Sequence, residues 1–64
     1  MRITAFRDLM SHEFGAVRAD TLAKDHVLSS LGSRTVDEAL RAGIPPKDIW
    51  RAICDEFEVP TDRR

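Results

Sequence analysis

The chain has 64 residues, enough for one domain, and a domain of that size buries about 60% of its unfolded surface for a stability of ~3–5 kcal/mol. Such a core holds up a binding face but leaves little room for the deep, water-excluding pocket that most enzymes use. With 42% hydrophobic and 33% charged residues, and ten Lys+Arg against eleven Asp+Glu for a formal net charge of −1, the composition excludes a disordered chain and any overall pull toward nucleic acid or an anionic membrane.

The first helix is predicted to begin after Thr4, an N-cap residue type, with Ile3 packing on the first turn. Phe6, Leu9, Met10 and Phe14 then recur at helical spacing on one face. Gly15 interrupts the pattern. Glu13 projects into the apolar arc, so it must lie at its edge or find a partner. The second helix is predicted from Ala16 to Leu31. Ala19, Leu22, Ala23, His26, Val27 and Leu31 form its buried side, widened by Val17 and Leu28. A helix apolar over so much of its circumference is covered by several neighbours, which makes it the expected central element. Gly32 then stands where a helix-ending C′ residue belongs.

Thr35-Val36-Asp37-Glu38 reads as a capping box, with Thr35 and Glu38 each satisfying a backbone N–H of the other. The third helix therefore starts at Val36, runs to about Ala42 and ends at Gly43, with Val36, Ala39 and Leu40 turned inward. Ile44-Pro45-Pro46 is an extended link, and Pro46 suits the first position of the fourth helix. Ile49, Trp50, Ile53, Cys54 and Phe57 make that helix's apolar face. The result is an all-α fold, a small bundle of about four helices over residues 1–60. Residues 61–64 are a flexible C-terminal tail, unless Arg63 and Arg64 fold back onto the acidic run before them.

One cysteine, Cys54, cannot form an internal disulfide, and no apolar run approaches the ~20 residues of a membrane span. The expectation is a reduced, cytoplasmic protein that spans no membrane. No cluster has the spacing of a metal site, and no cofactor is implied. His12 and His26 each neighbour an acid, Glu13 and Asp25, but adjacent helical residues point about 100° apart. His12 reads as a solvated surface residue and His26 as a hydrogen-bonded histidine at the core's edge. Asp55 and Glu56 beside Cys54 disfavour a thiolate, so Cys54 reads as a small buried hydrophobe rather than a nucleophile.

Several stretches carry a family resemblance: Met1-Arg2-Ile3-Thr4-x-Phe6, Phe14-Gly15, Asp25-His26-Val27-Leu28, Arg34-Thr35-Val36-x-x-Ala39-Leu40-x-x-Gly43, and Pro46-Lys47-Asp48-Ile49-Trp50-Arg51-Ala52-Ile53-Cys54. Together they resemble the short actinobacterial proteins grouped as domain of unknown function 3046. The resemblance spans essentially the whole chain. It implies a small cytosolic helical protein with no assigned activity, and an association with recombination or DNA repair, because members are often encoded near the recombinase RecA and its regulator RecX.

Two functional readings come from the residues. The leading one is a non-catalytic module that binds another protein, with Trp50 as an anchor and Asp55, Glu56 and Glu58 as an acidic rim. Against it stands a core role for Trp50, its indole N–H donating to a backbone carbonyl, and a plain solvated face for the acids, with Arg51 pairing to Asp55 at i+4. The alternative is a helix-turn-helix over residues 35–54, in which the fourth helix enters the major groove and Lys47 and Arg51 contact DNA. Asp48 and Asp55 share that outward face and cancel the basic pair against a phosphate backbone. The sequence leaves open a homodimer paired through the fourth helix.

Overall fold

The computed structural model describes residues 1–64 and contains four α-helices and two single 3-10 turns: α1 (Ile3–Phe14), α2 (Ala16–Asp25), a 3-10 turn (Ser29–Leu31), α3 (Val36–Arg41), α4 (Pro46–Glu56) and a closing 3-10 turn (Thr61–Arg63). The expected all-α bundle is the observed fold, packed into 27 × 22 × 20 Å. No helix is long and apolar enough to cross a membrane.

α1 starts before Thr4, which lies inside its first turn. Arg2 is the cap residue and makes no side-chain cap bond. Residues 1–5 are all exposed, so water can satisfy the first N–H groups and no capping side chain is needed there. At the other end Gly15 adopts φ 85°, ψ 150°, a conformation open essentially to glycine alone, and the Gly15 N–H still donates to Ser11 O at 2.8 Å. α1 and α2 therefore meet at one pivot residue, and Phe6 and Met10 of α1 are buried beside Ala19 and Ala23 of α2.

α2 is shorter than its apolar pattern suggests. It ends at Asp25, and His26 turns extended (φ −83°, ψ 121°). Leu28 then makes an isolated antiparallel bridge with Arg34, its N–H donating to Arg34 O at 2.9 Å. The physical reason lies in Leu28 and Leu31. Breaking the helix lets both turn into the core, at 0% and 8% exposure, while Val27 and Val17 face solvent at 51% and 84%. Ser29 and Ser30, poor helix formers, oppose continuation only weakly, so tertiary burial decides the geometry.

The capping box at α3 is complete. Glu38 N–H donates to the Thr35 hydroxyl at 3.2 Å, and Thr35 N–H donates to Glu38 Oε1 at 3.0 Å. The Thr35 backbone and hydroxyl bonds hold the Glu38 carboxyl below its ordinary range. Ala39, wholly buried on α3, permits close approach of α4.

α4 is the central element, in place of α2. Ile49, Trp50, Ala52, Ile53 and Cys54 are all buried on it, and it packs against α1, α3 and the first 3-10 turn. Its C-terminus closes with a Schellman-type bond, Val59 N–H donating to Cys54 O at 2.9 Å, and Val59 is buried at 4%. The linking residue, Glu58, takes φ 55°, left-handed space that glycine fills without cost. We therefore expect Glu58→Gly to stabilise the chain by about 1 kcal/mol. A urea midpoint that stays in place or falls would show that Glu58 makes compensating contacts.

Arg63 and Arg64 fold back onto the body of the domain, as the alternative reading of the tail has it. Arg63 forms a forked ion pair with Glu13 of α1, Nε to Oε1 at 2.9 Å and Nη2 to Oε2 at 3.2 Å. Arg64 donates to Val59 O, Cys54 O and Asp55 Oδ1 at 2.8, 3.3 and 3.0 Å. The acid that projects into the apolar arc of α1 thus finds its partner in the tail. The Glu13 pairing in turn holds the Arg63 guanidinium yet more firmly in its charged form.

Candidate functional site

Lys47, Trp50, Arg51, Cys54 and Asp55 fall three or four residues apart on α4 and share one strip of it. They line one surface depression of about 370 Å³, joined there by Met1 from the start of the chain and Arg64 from its end. Trp50 and Cys54 form the floor, with exposures of 5% and 0%. Lys47, Arg51 and Asp55 are exposed and stand around it.

Trp50 is a core residue and not an exposed anchor. Its ring meets Phe6 edge to face, with centroids 6.4 Å apart and planes at 80°. The expected carbonyl partner is missing: the indole Nε1 is buried without any hydrogen-bond acceptor. A buried donor left unmade costs about 1–3 kcal/mol. That unmet donor, in a residue lining an open depression, is the most unusual polar feature of this face.

The electrostatics of the depression are set by pairing. Arg64 Nη1 lies 3.0 Å from Asp55 Oδ1, so the tail arginine, and not Arg51, takes up Asp55. The chain's other salt bridges use Lys24, His26 and Arg63, which leaves Lys47 and Arg51 without a carboxylate partner. Three cations therefore surround one acid. Burial pushes the Cys54 thiol up, an effect that the nearby Arg64 only partly opposes, so the floor carries no ready thiolate.

The acidic rim does not assemble. Asp55 is in the depression but neutralised, whereas Glu56 and Glu58 lie outside it. Glu56 Oε2 approaches His26 Nε2 at 3.9 Å, too long for a hydrogen bond. His26 stays at the core's edge with its ring 4.8 Å from that of Phe57, but its Nε2 is buried and unpartnered, contrary to the satisfied histidine expected. Glu58 occupies the left-handed turn after α4.

The structure thus brings together residues from both sequence readings, Trp50 and Asp55 with Lys47 and Arg51. Periodicity along α4 misses Met1 and Arg64, which arrive from the two chain ends. A second, smaller depression of about 150 Å³ lies between α1 and α2, with Phe6, Met10, Ala19 and Ala23 along it and Arg7 and Asp20 beside them. It contains none of the candidate residues.

Comparison with known proteins adds one relative and one family. A Mycobacterium tuberculosis protein with the provisional name envelope-preserving system protein Rv2742c is 42% identical over 36 residues, covering 56% of this chain but only 13% of that protein. No solved structure matches the chain. The model of the family described as "Protein of unknown function (DUF3046)" matches residues 1–62, the same family that the quoted motifs resemble, and the chain belongs to it.

Proposed function

We propose that this protein is a non-catalytic interaction module that docks another protein on the α4 face. One observation carries the reading: Lys47 and Arg51, both unpaired, line one depression with buried Trp50, whose indole N–H has no acceptor. A few polar groups above an apolar floor suit binding. Covalent catalysis would need a nucleophile with an adjacent base, and the only thiol here is buried and held protonated. A helix-turn-helix function is less well supported. Asp48 and Asp55 share the exposed face with Lys47 and Arg51, and α4 spends much of its circumference on the core.

Two pointers to the partner differ. The family's gene neighbourhood suggests the recombination machinery, whereas the name of the mycobacterial relative concerns envelope preservation. Photo-crosslinking in cells separates them and tests the docking face at once. A crosslinker placed at Lys47 is expected to trap a defined protein, and one placed at exposed Thr21 on α2 is expected to trap none. Equal adducts from both positions, or none from Lys47, would refute docking on α4.

A further inference from the structure

Lys47 and Arg51 lie one helical turn apart, exposed and free of any carboxylate of their own chain. Beside them on α4 is Trp50, nine-tenths buried, whose N–H has no acceptor. Two cations and one unmet donor need an anionic oxygen acceptor, while the apolar floor needs a hydrophobic side chain beside it. Arg64 already occupies Asp55, so the one acid in the depression does not fill that role.

Resting on the docking face described above, we propose that its ligand is an acidic peptide segment of a partner protein, in which a glutamate or aspartate carboxylate accepts from the Trp50 indole N–H and pairs with Lys47 and Arg51. The Met1 side chain lines the depression, is half exposed and precedes α1. Charge complementarity decides the class of occupant. A nucleic-acid backbone presents a phosphate every few ångströms and would meet exposed Asp48 as well as the cations. A single carboxylate reaches Lys47 and Arg51 without meeting that acid. Charge-assisted bonds to the carboxylate are the strong ones, and the peptide relieves a penalty that the free protein carries.

Trp50 is the sole tryptophan, so its indole N–H gives one unambiguous NMR resonance. The probe is an acetylated, amidated hexapeptide with one glutamate flanked by leucines in an otherwise serine sequence, titrated at low salt into the full chain. The indole proton resonance is expected to move downfield and saturate. The double variant Lys47→Ala/Arg51→Ala, both changes at exposed positions, is expected to weaken binding about tenfold, and the analogue with glutamine in place of that glutamate is expected not to bind. The proposal is overturned if the glutamine peptide binds equally well, if the indole resonance stays fixed, or if a short DNA duplex moves that resonance more tightly than the peptide. Should any of these occur while Lys47 still crosslinks a protein in cells, docking on α4 stands and the carboxylate chemistry alone falls.

Discussion

Replacing Ile53 with alanine is expected to leave much of the chain unfolded at 25 °C. Ile53 is 1% exposed, near the middle of the helix that packs against three other elements. Truncating a buried isoleucine to alanine costs about 2–5 kcal/mol, through lost transfer energy and the cavity left behind. A domain this small has about 3–5 kcal/mol in total, so the loss takes most or all of it. Leu22 offers the control. It is a similar side chain on α2, only half buried, and its truncation is expected to cost about 1 kcal/mol. Far-UV circular dichroism in urea distinguishes the two. Equal losses would mean that α2, not α4, is the helix around which the others close.

The contrast between those helices shows where the sequence was legible. α4 carries its own evidence: Pro46 at the first position, apolar residues at 49, 50, 53 and 54, and a proline past the end. The structure agrees to within a residue or two. The capping box at Thr35 is equally local, needing only Thr35 and Glu38, and both of its bonds form. The stretch 26–31 is different. Val27, Leu28 and Leu31 satisfy a helical pattern, yet what fixes their geometry is the Leu28 bridge to Arg34 and the space that the core leaves for two leucines. Neither is visible in a helical periodicity.

The candidate site divides along the same line. The strip Lys47, Arg51 and Asp55 follows from spacing alone. The depth of Trp50 does not, because it depends on Phe6, a residue from the opposite end of the chain. The ownership of Asp55 also depends on a distant partner. Arg51 sits at the right interval for an i,i+4 pair, but Arg64 reaches the carboxylate and two backbone carbonyls at once, so it forms three bonds where Arg51 could form one. That exchange leaves Arg51 free to meet a partner's acid.

Because the tail has this role, Arg63→Ala/Arg64→Ala is expected to lower the urea midpoint, the second largest effect foreseen for this chain. Exposed ion pairs normally contribute under about 1 kcal/mol, and Arg63 is itself largely exposed. Its partner is not: the Glu13 side chain has only 16% of its surface in contact with solvent. Removing Arg63 leaves a mostly desolvated carboxylate without its two bonds, and that penalty, more than the lost attraction, dominates. Removing Arg64 uncovers the Cys54 carbonyl at the end of α4 and the Val59 carbonyl beyond it. The variant Glu13→Gln isolates the first contribution. In that background the loss of Arg63 no longer strands a charge, so the double arginine variant is expected to lose roughly half as much. Urea midpoints measure all four proteins. Identical midpoints for the parent and the double arginine variant would mean that residues 61–64 do not hold α1 to α4. Asp55 would then be free to oppose any carboxylate arriving at Lys47 and Arg51.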